Sequence, residues 1–233
     1  MSQVWFTADT HFGHGNIIKY CVRPFLNAEE NELAAREPRG AWRVSPETIE
    51  RHDAALLQAI NESVQPDDTL WILGDFCLGK REASEKYLKR IACRNVNLVW
   101  GNHDDPSIGS LFNKTIQQGK IRVDDQKIWL NHYPMRSWDG RFHGSWQLYG
   151  HVHGRFAELD RDDPTLLTRD VGVDACEYRP ISFHELKAYM KPREKAFAAA
   201  KAAFIAGDQS VSCLLYTSPS PRDATLSRMP SSA

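Results

Sequence analysis

Short apolar runs that stop abruptly at polar clusters organise most of the chain. Residues 3–8 (QVWFTA) end at Asp9-Thr10-His11-Phe12-Gly13-His14. Residues 69–73 (TLWIL) end at Gly74-Asp75, and residues 96–100 (VNLVW) end at Gly101-Asn102-His103-Asp104. Apolar runs this short, bounded by turn residues, read as strands buried on both faces. Residues 120–123 and 127–131 flank Asp124-Asp125-Gln126 as a hairpin that ends at Asn131-His132. Residues 146–149 lead into Gly150-His151-Val152-His153-Gly154, and residues 168–173 read as a late strand.

Between these runs the spacing becomes helical. Ile49, Leu56, Leu57, Ile60 and Val64 recur on one helix face, with Ser45 as N-cap and Pro46 in the first turn. Leu88 and Ile91 mark an amphipathic helix over 81–92. Residues 16–21 and 182–190 read as further helices, and the Ala-rich stretch 192–206 as another. Residues 22–46, with Pro24, Pro38, Gly40 and Pro46 as breakers, read as a loop long enough to act as a lid. Alternating strands and helices predict an α/β fold. Each polar cluster follows a strand, and sites of open α/β sheets assemble beyond the carboxyl ends of strands.

One domain is expected over residues 1–190, an Ala-rich C-terminal helix over 191–211 and an unstructured tail over 212–233. Residues 213–233 (CLLYTSPSPRDATLSRMPSSA) resemble the translation of a sequencing adapter and are set aside from fold reasoning. Composition narrows the function classes. With 42% hydrophobic and 25% charged residues among 233, wholesale disorder is excluded. The net charge of -1 argues against holding nucleic acid or a membrane through bulk positive charge. No apolar run approaches the roughly 20 residues of a membrane span. The chain reaches Asp9 and His11 too soon for a signal peptide. Cys21, Cys77, Cys93, Cys176 and Cys213 are scattered without a CxxC pair, as reduced thiols would be. A cytoplasmic protein without a membrane partner is the expectation.

The polar clusters carry the chemistry. Asp9 and His11 are two residues apart, as are His151 and His153, so in extended chain each pair faces one side. Asp75 follows a buried strand, where an uncompensated carboxylate is costly. A donor set of Asp, Asn and His without Cys suits a borderline divalent ion: Mn, Fe, Zn or Ni. Asp9, His11, Asp75, Asn102, His132, His151 and His153 are too many ligands for one tetrahedral ion and suit two ions sharing a bridge. Two such ions outweigh two carboxylates and a bridging hydroxide, and the residual positive charge attracts a phosphate oxygen. The hydroxide would be the nucleophile, and His103, beside Asn102, the natural proton donor to a leaving alkoxide. Asp104 is placed to orient and charge the His103 imidazole. A chance GNHD in a chain of this length has a probability of about 0.001.

The ordered pattern DxH, GD, GNHD, H and GHxH resembles the calcineurin-like metallophosphoesterase superfamily. Residues 5–25 (WFTADTHFGHGNIIKYCVRPF) and 172–186 (GVDACEYRPISFHEL) are similar to its small bacterial and phage members. The resemblance implies a four-layer α/β/β/α sandwich, with two central mixed sheets flanked by helices and a dinuclear site at the sheet edges. It implies that Asp9, His11, Asp75 and His153 hold one ion, and that Asp75, Asn102, His132 and His151 hold the other. Asp75 bridges in that assignment, and His103 matches the catalytic histidine. The superfamily's protein Ser/Thr phosphatases follow the Gly-Asp with Val-Asp-Arg-Gly and use GNHE. Here Phe76-Cys77-Leu78-Gly79 and GNHD stand instead, so the phosphate-binding arginine of that run is missing.

The expected activity is hydrolysis of a phosphomonoester or phosphodiester, most simply of a small phosphorylated molecule. A nuclease is the alternative within enzymology, lowered by the lack of a basic stripe with interleaved aromatics. A non-catalytic scaffold retaining the fold is the alternative outside it. His14 and Arg136 are further candidates for touching substrate. Arg23 is another, although ion pairing is the commoner state of such a residue. Trp138 and Trp146 flank the loop before GHxH and are candidates for lining its opening. His52, on a predicted helix, reads as packing.

Overall fold

The structure is a computed structural model that describes residues 2–38, 40–158, 163 and 165–206. Its centre is a five-stranded sheet of β1 (Val4–Thr7), β2 (Thr69–Leu73), β3 (Asn95–Val99), β4 (Lys114–Ile116) and β9 (Ile181–Ser182). The order is β4-β3-β2-β1-β9, parallel except where β9 runs against β1. The second sheet, in order, holds β5 (Gln118–Val123), β6 (Gln126–Asn131), β7 (Trp146–Tyr149) and β8 (Thr168–Asp170). Only β5 and β6 form a hairpin; β6, β7 and β8 are parallel.

The pleat explains how TLWIL is buried on both sides. Trp71 and Leu73 join Phe6 and Val99 against Ile128, Leu130, Trp146 and Leu148 of the second sheet. Leu70 and Ile72 point the other way, with Val96 and Leu98. That outer face is covered by Leu56, Leu57 and Ile60 of α3 (Pro46–Ser63) and Tyr87 of α4 (Arg81–Leu88). Leu186, Met190 and Phe197 of α5 (Phe183–Ile205) pack into the cluster between the sheets. The fold is thus mixed α/β, with two mixed sheets flanked by helices.

Register places the site. β1, β2 and β3 are parallel and in step, with Thr7 opposite Ile72 and Leu73 opposite Val99. Their carboxyl ends therefore release Asp9, Asp75 and Asn102 along one edge. Leu130 lies opposite Leu148 in β6 and β7, so His132 and His151 leave the second sheet side by side. A bridge between Ala8 and Gly172 ties the two edges together.

Three expected elements differ. Within residues 22–46 lies α2 (Ala28–Arg36), which follows the short α1 (Gly15–Tyr20). The sequence AEENELAAR favours helix but carries no apolar stripe, so periodicity misses it. Its start is a capping box: Asn27 Oδ1 accepts from the Glu30 amide at 2.8 Å, and Glu30 Oε2 accepts from the Asn27 amide at 3.0 Å. The helix boundary expected near 190 falls inside α5, which continues through Pro192 as one element. The late strand stops at Asp170 and gives way to a single 3-10 turn, Val173–Ala175. The tail expected over 212–233 lies outside the described residues. Among the described residues no helix is long and apolar enough to cross a membrane.

Candidate metal centre

The chain pays a backbone cost where each strand meets its cluster. Asp9 (φ 57°), His11 (φ 48°), Asp75 (φ 55°), His151 (φ 68°) and His153 (φ 49°) are all left-handed. Non-glycine residues avoid that region, each at a cost on the order of 1 kcal/mol or more. Paired residues therefore share a side because the chain kinks, and the extended geometry expected for Asp9-x-His11 and His151-x-His153 does not occur. Backbone bonds hold the kinks, with the Asp9 amide on the Gly74 carbonyl at 3.0 Å and the His11 amide on the Asp75 carbonyl at 2.9 Å. Gly101 is required by close approach: a Cβ there would lie 2.2 Å from Asp75 Oδ1.

The side chains converge in two groups. Ligand atoms of Asp9, His11 and His153 lie within 4.8 Å of one another, and so do those of Asp75, His132 and His151. Asp75 Oδ2 stands between the groups, 3.4 Å from His11 Nε2 and 3.4 Å from His132 Nε2. Asn102 Oδ1 is 3.1 Å from His132 Nε2. His132 Nδ1 lies 2.8 Å from the Leu73 carbonyl, which can only accept, so this nitrogen carries a proton and Nε2 is the atom left to face a cation.

The electrostatics fit a cation. Asp9 Oδ2 accepts from the His151 amide at 2.8 Å, but Asp9 Oδ1 is buried without a hydrogen-bond partner, as is His11 Nε2. Burial pushes the Asp9 carboxyl up to about 7 and the His11 imidazole down to about 2. Burial also opposes ionisation of Asp75, but the His132 hydrogen bond and the charges of His132 and His11 bring it to about 2. Burial likewise opposes charge on His153, and its hydrogen bonds to Asp174 and Cys21 together with the charge of Asp9 outweigh this and raise it to about 10. Orphaned buried oxygen and nitrogen donors gathered this closely are costly unless a cation receives them. Oxygen and imidazole donors without thiolate suit divalent transition metals.

Residues 2–196 match the family described as calcineurin-like phosphoesterase. The chain belongs to the calcineurin-like phosphoesterase family. It is a metal-dependent phosphoesterase. It is 29% identical over 184 residues to the uncharacterized protein MJ1445 of Methanocaldococcus jannaschii, covering 78% of this chain and 88% of that one. It is 27% identical over 213 residues to the Gene 66 protein of Mycobacterium phage L5, covering 75% of this chain and 88% of that one. The crystal structure of AQ665 from Aquifex aeolicus, a protein of unknown function, superposes with a TM-score of 0.59 at 22% identity. That likeness covers 81% of this chain and 100% of the other, and it concerns the fold.

Around the centre of this phosphoesterase, His103 and His14 stand beside His11, with ring centroids 5.4 Å and 5.3 Å from it and 6.0 Å from each other. Asp104 is not placed as expected. Its carboxylate accepts from the amides of Asp75 at 3.0 Å, Phe76 at 2.9 Å and Gly101 at 2.8 Å, which braces the Asp75 turn. No hydrogen bond joins it to the His103 ring among the described residues. Arg136 is exposed on the segment between β6 and β7. Trp138 and Trp146 are buried in the core cluster between the sheets.

Sequence reasoning did not single out Asp170 and Asp174. Asp170 accepts from the amides of Gly154 at 2.9 Å and Gly172 at 2.8 Å, latching the GHxH loop to the end of β8. Asp174 accepts from His153 Nδ1 at 2.7 Å. The available signal for Asp174 was the Gly172-Val173-Asp174 run just beyond a strand, as Gly74-Asp75 lies beyond β2.

Proposed function

We propose that the phosphoesterase hydrolyses a phosphomonoester or phosphodiester of a small molecule with two divalent transition-metal ions, of the Mn, Fe, Zn or Ni class, in the cytoplasm. Asp9, His11, Asp75 and His153 hold one ion, and Asp75, Asn102, His132 and His151 the other, with Asp75 shared. The observation that carries this reading is Asp75 Oδ2 standing 3.4 Å from an imidazole nitrogen of each group. When bound, the ions supply Lewis-acid charge for a phosphoryl oxygen and acidify water toward neutrality.

The protein's own residues do the rest. The His103 amide donates to Asp75 Oδ1 at 2.9 Å, which fixes the backbone of His103 beside the shared carboxylate. From there it donates a proton to the departing alkoxide, a contribution typically worth about 10²–10⁴-fold. His14, half-buried beside it, contacts a substrate oxygen. The near-neutral charge of the chain favours a small phosphorylated substrate over nucleic acid.

The test is hydrolysis of p-nitrophenyl phosphate and of its bis ester by protein loaded with Mn or Ni. Turnover of either is expected, with kcat falling about 10²–10⁴-fold in His103→Ala while metal content stays unchanged. Turnover no greater than that of Asp75→Ala on both esters would overturn the reading.

A further inference from the structure

Behind His153 runs a line of buried polar contacts that reaches helix α3. Asp174, which receives the His153 Nδ1 proton, is gripped on both oxygens by Arg23, with Nε on Oδ1 at 2.9 Å and Nη2 on Oδ2 at 2.7 Å. The other Arg23 bonds go to the carbonyls of Asp9 at 2.8 Å and Thr10 at 3.3 Å, and to His52 Nε2 at 2.8 Å. An arginine donates only, so His52 accepts at Nε2 and carries its proton on Nδ1, 2.8 Å from Asp53 Oδ1. Asp53 Oδ2 closes the line by accepting from the Tyr87 hydroxyl at 2.7 Å and the Gly13 amide at 3.0 Å.

We propose that Arg23 is a positioning residue of the metal centre. It fixes Asp174 against the Asp9-Thr10 backbone, so that His153 is held as the Nδ1–H tautomer with Nε2 turned toward Asp9 and His11. This rests on reading His153 as a metal ligand. Three observations carry it. Arg23 is 1% exposed and its five N–H donors match five acceptors, so it has nothing left to offer a substrate phosphate. The guanidinium fork joins two separate pieces of the site, the backbone that bears Asp9 and the carboxylate that orients His153. A lysine, a point charge with three donors, has no equivalent geometry. The preceding Val22 is 74% exposed and left-handed at φ 51°, a conformation a β-branched residue avoids, and it is held there as the chain turns Arg23 inward.

The experiment is competition with a chromophoric chelator for zinc, on wild type and on Arg23→Lys, with thermal unfolding of the metal-free proteins alongside. Wild type is expected to take up two ions. Arg23→Lys is expected to weaken one of them about 10–100-fold and leave the other within about threefold, because only the His153 group loses its outer support. Asp174→Asn should give the same selective loss, and the double variant should be little worse than either single one. If Arg23→Lys does not fold, the near-isosteric Asp174→Asn carries the same test. Two ions bound as in wild type, or both weakened equally in step with lost thermal stability, would overturn the proposal. A wild type that binds no zinc would instead overturn the reading of the metal centre itself, and this proposal with it.

Discussion

Asp75 concentrates the demands of the site in one side chain. One carboxylate oxygen takes the His103 amide and the other faces His11 and His132, while the turn that presents it is left-handed and braced by Asp104. Gly101 leaves the space this needs. A methyl group there would sit 2.2 Å from Asp75 Oδ1 and 2.4 Å from the Asp75 amide nitrogen, which is too close for rotamer changes to relieve. Gly101→Ala is therefore expected to lose metal along with activity; elemental analysis of the folded protein checks this, and full metal content would contradict it. At this scale the ligand types were legible because a carboxylate or imidazole beyond a buried strand is conspicuous. The role of Asp104 was not legible. Adjacency to His103 suggested a side-chain partner, whereas three backbone amides left unpaired by a tight turn compete for that carboxylate and win. The support behind His153 was hidden for a related reason: its partner Asp174 and the Arg23 that grips Asp174 are 151 residues apart and meet only in the fold.

Elements with an apolar rhythm were read closely, and those without one were missed. The runs at 69–73 and 146–149 coincide with β2 and β7, and Ser45 caps α3 by accepting from the Thr48 amide at 3.3 Å. Helix α2 has no apolar stripe; polar contacts of Glu30 hold it down, with Oε1 accepting from the Ser45 amide at 2.7 Å and Oε2 from the Thr48 hydroxyl at 2.6 Å. Pro24 and Pro38 bracket this helix instead of breaking it. The same carboxylate serves the capping box and the entry to α3, so α2 and α3 are expected to loosen together. Asn27→Ala removes one side of the box and should cost about 1 kcal/mol. That corresponds to about 2–4 °C in Tm for a domain of this size, read by thermal denaturation, with metal content unchanged. A loss of bound metal in that variant would show that α2 reaches the centre more directly than its contacts indicate.

Across the whole molecule, the centre exists because two sheets end at one level. Candidate ligands separated by as many as 144 positions meet only when parallel strands in register deliver them to a common edge, and the Ala8–Gly172 bridge keeps the two edges together. Gathered without a cation, two of these groups hold protons instead. Asp9, raised by burial to about 7, and His153, raised against burial by Asp174, Cys21 and the Asp9 charge to about 10, both hold a proton below those values. Metal uptake must displace these protons, so apparent affinity rises with pH, by about one decade per pH unit for each proton displaced. The rise is steepest below about 7, where Asp9 and His153 both give up a proton, and shallower above it, where Asp9 no longer does. Chelator competition across the neutral range measures this slope, and an affinity independent of pH would contradict it.

The pairing of two ions about Asp75 is tested most directly by anomalous scattering from a crystal of the manganese-loaded protein. The account predicts two peaks per chain, one against Asp9, His11 and His153, the other against Asn102, His132 and His151, with the Asp75 carboxylate touching both. A single peak, or peaks away from Asp75, would contradict it.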